Sequence, residues 1–286
     1  MIPSTFEYER VSTVAEAIER LQAAGGEAKL LAGGHSLLPM MKLRLSSPAK
    51  LIDISSVQEL HGIVREPDGL VVGALTTHAQ VASSPMVREH LPALAQAASK
   101  VGDLQVRNRG TLGGNLSHAD MASDLPAVAL AYEAEIYVIT MDSEETLQAE
   151  EFFLGPLMTA MPENSVMRSV KFRTPPSGSK SVYEKVPHPA SGYAVVGIAA
   201  VVAVNEDNVV THARIGITGA ADVAYRARGV EDALIGKAFT EEAIQSAAVY
   251  ASDDGMIAGD LYASEAYRRQ LCKVHTARAL RKLLAQ

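Results

Sequence analysis

Two glycine pairs, each followed by a polar side chain, restrict what this chain can fold into: Leu31-Ala32-Gly33-Gly34-His35-Ser36 and Thr111-Leu112-Gly113-Gly114-Asn115. Adjacent glycines permit positive φ and leave no Cβ between the backbone and a ligand. Successive main-chain N–H groups then line a concavity that accepts an anion, most often phosphate. One such pair is a common turn. Two pairs, each leaving an expected extended segment, predict two loops that grip one diphosphate from opposite sides. Neither pair completes G-x-G-x-x-G, and no G-x-x-x-x-G-K-[ST] loop occurs, so any nucleotide is held by an architecture other than those two.

Composition narrows the partners. The chain has 286 residues, 48% hydrophobic and 21% charged, which suits one large soluble domain or two modest ones. A net charge of −7 argues against nucleic acid, which needs clustered excess Lys and Arg. No apolar run reaches the length of a transmembrane segment. The longest, Ala194 to Val204, reads as a buried strand. The first residues lack the basic start and apolar core of a signal peptide, so a cytoplasmic protein is expected. Cys272 is the one cysteine. It reads as a small packed residue, and one thiol cannot hold an iron–sulfur cluster, which takes four protein ligands. Electrons handled by this chain would need an organic carrier.

Periodicity and turn signals predict α+β organisation. Phe6 to Val11 reads as a strand, then Ser12 or Thr13 caps a helix carrying Val14, Ala17, Ile18 and Leu21 on one face, closed by Gly25-Gly26. Lys29 to Ala32 delivers the chain into the first glycine pair. Leu37 to Leu45 is helical in tendency, and Lys50 to Ile54 completes a βαβ-like unit ending near residue 56. A hairpin turns at Pro67-Asp68-Gly69. Thr76-Thr77 starts a helical stretch broken at Ser83-Ser84-Pro85, which runs on to the second glycine pair. Val128 to Thr140, Glu144 to Phe152 and Val166 to Arg173 read as strands. Thr174-Pro175-Pro176-Ser177-Gly178-Ser179 is the expected domain boundary. Beyond it lie three expected strands (182–186, 194–204, 209–218) and three helical stretches (228–235, 241–250, 264–284), a pattern of helices packed on an antiparallel sheet.

The run Gln105-Val106-Arg107-Asn108-Arg109-Gly110-Thr111-Leu112-Gly113-Gly114-Asn115, followed by Ser123-Asp124-Leu125-Pro126, closely resembles a signature of the FAD-binding medium subunits of the molybdenum hydroxylases, the group of xanthine dehydrogenase and aerobic carbon monoxide dehydrogenase. Ala32-Gly33-Gly34-His35-Ser36-Leu37-Leu38-Pro39 is similar to that family's other flavin loop, and Tyr267-Arg268-Arg269 matches its C-terminal domain. The resemblance implies a PCMH-type FAD-binding domain at 1–176, with α+β subdomains at about 1–56 and 57–176. A C-terminal domain at 177–286 follows, with a three-stranded antiparallel sheet and helices. It implies FAD in this chain, [2Fe–2S] clusters in a small partner subunit, and the molybdenum cofactor in a large one that oxidises carbon monoxide, an aldehyde or an N-heterocycle. A dimer of heterotrimers and an external acceptor (quinone, NAD or oxygen) are also implied. The choice of FAD over another diphosphate nucleotide rests on this resemblance.

The resemblance also assigns residues. Ala32, Gly33, Gly34, His35 and Ser36, with Thr111, Leu112, Gly113, Gly114 and Asn115, would cradle the diphosphate through backbone N–H groups. Ser36, Thr111 and Asn115 would add side-chain hydrogen bonds. His35 has no second ligand at metal spacing and reads as a local hydrogen-bonding residue. Asp124 either caps the next helix or accepts from an FAD sugar hydroxyl. Lys185 is either a solvated strand residue or a cation at the flavin edge, where it would favour the reduced anion. Met167 is core or an apolar flavin neighbour. Tyr193 falls where an aromatic residue stands beside the isoalloxazine. The preceding Pro187 to Gly192 departs from the carbon monoxide subgroup, which would carry a basic pair and an aspartate there. The basic face of the last helix reads as solvated or as a docking surface. Two other readings stand: a flavin oxidoreductase acting alone on the related alcohol-oxidase fold, and an assembly subunit without flavin.

Overall fold

The computed structural model describes residues 2–286. The first unit holds β1 (Glu7–Arg10), α1 (Val14–Ala23), β2 (Ala28–Leu31), α2 (Leu37–Lys42) and β3 (Lys50–Asp53). Its three strands lie in the order β1-β3-β2, all parallel. Thr13 caps α1 by accepting from the Glu16 N–H at 3.1 Å. Val14, Ala17, Ile18 and Leu21 turn inward at helical spacing, as the sequence predicts. Burying each larger side chain contributes about 1.5–3 kcal/mol. Gly25 and Gly26 end the helix at φ +56 and +90.

The second unit comprises β4 (Ile63–Glu66), β5 (Gly69–Gly73), α3 (His78–Ser83), α4 (Pro85–His90), α5 (Pro92–Ser99), α6 (Leu104–Arg109), α7 (Leu112–His118), α8 (Leu125–Ala131), β6 (Glu135–Ile139), β7 (Glu144–Gln148), α9 (Ala149–Phe152), the small hairpin β8 (Phe153–Gly155) and β9 (Met158–Thr159), and β10 (Val166–Arg173). An antiparallel five-stranded sheet runs β4-β5-β10-β6-β7. Thr77 and Gln80 form a reciprocal capping box at α3, and Pro85 opens α4. The chain break expected at Ser83-Ser84-Pro85 is therefore a change of helix.

Three local expectations fail here. The strand expected over Glu144 to Phe152 ends at Gln148, and Ala149–Phe152 form α9. Residues 125–131, part of which reads as strand, form α8, with Pro126 in its first turn and all seven residues buried. An apolar run enclosed on every side has no polar face to reveal its period. The second glycine pair does not leave a strand. Gly113 and Gly114 lie inside α7, capped by Thr111, and neither has positive φ.

Thr174 to Ser179 then leads into β11 (Lys180–Pro187), β12 (Ala194–Val204), β13 (Val210–Thr218), β14 (Tyr225–Arg226), α10 (Arg228–Leu234), α11 (Glu241–Ala248) and α12 (Glu265–Leu284). The sheet order is β11-β12-β13-β14, antiparallel throughout. The three long strands match expectation, and the two-residue β14 adds an edge. Helix α12 covers β11 and β12, while α5 and α8 of the second unit pack on the same sheet. Coverage from both units explains why β12 is buried from Ala194 to Ala203. Gly216 of β13 lies so close to the Ala127 carbonyl of α8 that a Cβ has no room. Cys272 is buried on α12, as expected. Arg268 departs from the solvated-face reading: it is buried, donates to the Gly219 carbonyl at 2.6 Å and pairs with Asp260.

Candidate functional site

The carboxyl ends of parallel strands are where open α/β sheets place ligands, and the first glycine pair leaves the carboxyl end of β2. There it borders a cleft of about 1080 Å³. Residues 32–36, 110–111, 113–115, 161–167 and 191–193 are among those that line it. Gly34 takes φ +74, the left-handed turn that the sequence reserves for one of these glycines. Among the described residues, no protein acceptor takes the backbone N–H of Gly33, Gly34, His35 or Ser36. The Ser36 hydroxyl caps nothing on α2. This loop presents a row of open donors.

The second loop behaves differently. Leu112 N–H donates to the Thr76 carbonyl at 3.0 Å and Gly113 N–H to the Ala74 carbonyl at 2.8 Å. Gly114 N–H donates to Thr111 Oγ1 at 3.2 Å. The first-turn donors of α7 are thus spent within the protein. An added Cβ at Gly113 would lie 2.5 Å from the Ala74 Cβ and 2.8 Å from its Cα. That glycine serves close helix-to-strand packing. At Gly114 the same atom would meet only Thr111 Oγ1 at 2.8 Å and the Ala32 Cβ at 3.9 Å, so Gly114 faces the first loop. Gly33 in turn abuts the Arg109 carbonyl and lies where a Cβ would be 2.9 Å from the Gly110 Cα. The two glycine loops touch.

Twelve of the fourteen residues singled out in the sequence line the cleft: Ala32, Gly33, Gly34, His35, Ser36, Thr111, Gly113, Gly114, Asn115, Asp124, Met167 and Tyr193. Leu112 does not; its side chain is in the core. Lys185 does not line it either. Its ammonium, nearly sealed from solvent, bonds Asp124 Oδ2 at 2.8 Å and the Lys100 carbonyl at 3.0 Å. Asp124 makes no capping bond to α8. Its Oδ1 accepts from the Tyr183 hydroxyl at 2.6 Å. Burial pushes the Asp124 carboxyl up, against the pull of Lys185 and Tyr183. One carboxylate thereby joins the cleft wall to strand β11.

Asn115 is oriented by Ser123, whose hydroxyl donates to its Oδ1 at 2.6 Å. Met167 is buried, and Tyr193 stands at the cleft edge, 46% exposed. Sequence reasoning did not single out Ser123, Met161 or His78, all of which border the cleft. Ser123 stands beside Asp124 in a quoted motif. The approach of His78 and Met161 depends on folding that no local pattern encodes.

Residues 4–174 match the model of the FAD binding domain in molybdopterin dehydrogenase. Residues 181–283 match the carbon monoxide dehydrogenase flavoprotein C-terminal domain. The carbon monoxide dehydrogenase medium chain of Hydrogenophaga pseudoflava is 42% identical over 280 residues, covering 98% of this chain and 97% of that one. The chain belongs to the FAD-binding medium subunits of the molybdenum hydroxylases.

Other members of the family lie nearby. The glyceraldehyde dehydrogenase medium chain of Sulfolobus acidocaldarius is 32% identical, with 99% of this chain and 100% of that one covered. The solved carbon monoxide dehydrogenase of H. pseudoflava superposes with a TM-score of 0.96 at 42% identity, over 100% of this chain and 99% of that one. For quinoline 2-oxidoreductase from Pseudomonas putida the TM-score is 0.93 at 29% identity, over 100% and 99% of the two chains. In this medium subunit, nearly all of the cleft belongs to the part that matches the FAD-binding domain. Ser191, Gly192 and Tyr193 alone reach it from the C-terminal part. Among the described residues no helix is long and apolar enough to cross a membrane.

Proposed function

We propose that this chain is the electron-transfer subunit of a molybdenum hydroxylase, holding FAD between a small iron–sulfur subunit and an external acceptor while a large subunit oxidises the substrate. The observation that carries the reading is the row of open N–H groups from Gly33 to Ser36, on a cleft at the large end of the 300–1000 Å³ or so typical of small-molecule sites. An anionic diphosphate is the part of FAD that such a row suits.

In this reading Gly33, Gly34, His35 and Ser36 receive the diphosphate through N–H groups, and Ala32 and Gly114 keep the approach free of bulk. Thr111 and Gly113 support the wall by holding α7, and the Asn115 amide, aimed by Ser123, adds a side-chain contact. Asp124 accepts from a sugar hydroxyl with one oxygen while Lys185 and Tyr183 hold its orientation. The Lys185 charge therefore acts on the cofactor through Asp124. Met167 supplies an apolar surface and Tyr193 screens the cleft mouth. FAD, when bound, would supply a centre able to exchange electrons singly or in pairs.

Substrate choice lies with the partner. Two relatives of similar whole-chain coverage are named for carbon monoxide and glyceraldehyde, so the medium subunit does not by itself specify what is oxidised. Native purification tests the assignment. Expected are one non-covalent FAD per chain, bound to the isolated subunit, a mass that includes a large and a small partner, and no substrate turnover by the isolated chain. A colourless chain that binds no FAD would refute the cofactor reading. A lone monomer that turns over substrate by itself would refute the complex.

A further inference from the structure

His78 begins α3, directly after its Thr77 cap. Its side chain is 2% exposed yet borders the cleft. Nδ1 is sealed from solvent with no hydrogen-bond partner. Nε2 is not sealed in this way, and among the described residues it has no protein partner. Buried polar groups are nearly always paired, and an unpaired one costs more than a typical hydrogen bond contributes. A histidine kept for packing alone would be replaced at a gain by an apolar residue of similar size.

The ring has a specific address. His78 N–H donates to the Gly110 carbonyl at 3.0 Å. A Cβ on Gly110 would stand 2.9 Å from Cδ2 and 3.0 Å from Nε2. Gly33 of the first loop also abuts Gly110, where a Cβ on Gly33 would stand 2.9 Å from the Gly110 Cα. Imidazole, Gly110 and Gly33 are thus successive parts of one wall, where the two glycine loops touch. Burial, with Arg107 and His35 nearby, holds the ring neutral, its pKa lowered to about 4. A neutral imidazole carries one N–H and one lone pair. A sealed nitrogen lacking an acceptor carries the lone pair at lower cost than a proton, which puts the proton on Nε2.

We propose that His78 is a third arm of the cofactor grip, its Nε2–H donating to the diphosphate where the two glycine loops meet. This inference rests on the FAD reading above. It gives Nε2 the acceptor it lacks, with Nδ1 keeping the lone pair, and adds a donor where the second loop has already spent its backbone N–H groups.

Titrations of the flavin-stripped full-length chain with FAD, ADP and riboflavin test it, comparing wild type with His78→Leu and His78→Gln. Loss of the donor should weaken FAD and ADP about tenfold, the scale of one hydrogen bond to a charged group. Riboflavin, which lacks the diphosphate, should change less than twofold, and Gln should recover part of the loss. Unchanged FAD and ADP affinities in both variants would overturn the proposal, as would an equal loss for riboflavin. Because His78→Leu also alters packing, nitrogen-15 spectra of wild-type histidine rings provide a second readout. ADP at saturation should shift the His78 Nε2 resonance, and an unmoved resonance overturns the proposal. Failure of the wild type to bind FAD would refute the cofactor reading itself, and this inference with it.

Discussion

Gly113 and Gly114 share one turn of α7, and a single methyl group separates their roles. At Gly113 a Cβ would lie 2.5 Å from the Ala74 Cβ, 2.8 Å from its Cα and 2.9 Å from its carbonyl oxygen. Carbon atoms in contact settle at about 3.5–4.0 Å, so α7 would have to withdraw by roughly 1 Å from the segment after β5. That withdrawal stretches the 2.8 Å bond from Gly113 N–H to Ala74. Overpacking of this kind costs about 1–3 kcal/mol, partly offset by the helical preference of Ala over Gly, worth about 1 kcal/mol. At about 2–4 °C per kcal/mol for a chain of this size, Gly113→Ala should lower the melting temperature by several degrees. Gly114→Ala meets mainly the Thr111 hydroxyl, and displacing it loses the α7 cap, about 1 kcal/mol, which the helical preference of Ala over Gly offsets. Its fold should be as stable as wild type, while the methyl group intrudes between the loops and weakens FAD. Calorimetric melting of flavin-free protein and FAD titration separate the two effects. A wild-type melting temperature for Gly113→Ala, or unaltered FAD affinity for Gly114→Ala, would refute the reasoning.

Gly34→Val should yield weakly flavinated protein, since φ +74 and the nearby Leu38 and Leu31 side chains leave a branched residue no relaxed conformation; stoichiometric FAD at ordinary affinity would contradict it. Asp124→Asn leaves the buried Lys185 ammonium without its counter-charge and should cost about 3–5 kcal/mol in denaturant unfolding. Adding Lys185→Met should recover a large part of that loss, and strictly additive losses would disprove the coupling. For His78, a folded-state pKa of about 4 against the ordinary 6.5 of a free imidazole means that the unfolded chain takes up the proton first. Its stabilising effect is therefore full above pH 6.5 and declines as pH falls toward 4. The wild type should lose roughly 3 kcal/mol relative to His78→Gln over that range in flavin-free protein. Parallel pH profiles for the two proteins would rule this out.

Local chemistry made much of this protein legible from sequence. Thr13, Thr77 and Ser264 cap their helices by reaching an N–H three residues on, a signal contained in one turn. Positive φ at Gly25, Gly26 and Gly34 likewise needs only the residue itself. Two long motifs were enough to indicate the family, and twelve of the fourteen residues that the resemblance singled out do line one cleft. Tertiary structure decided what depends on distant partners. Residues 125–131 become helix α8 because sheet and helices enclose them on all sides, which erases the period that would reveal them. Gly113 serves packing and Gly114 the cleft because the segment at Ala74 approaches one and the loop at Ala32 the other. Lys185 turns to Asp124, 61 positions away, and His78 reaches the wall at Gly110 across 32. Caps and turns act over a few residues, where sequence neighbours are spatial neighbours. A buried charge or an unpaired imidazole takes its meaning from groups that only the completed fold brings within hydrogen-bond reach.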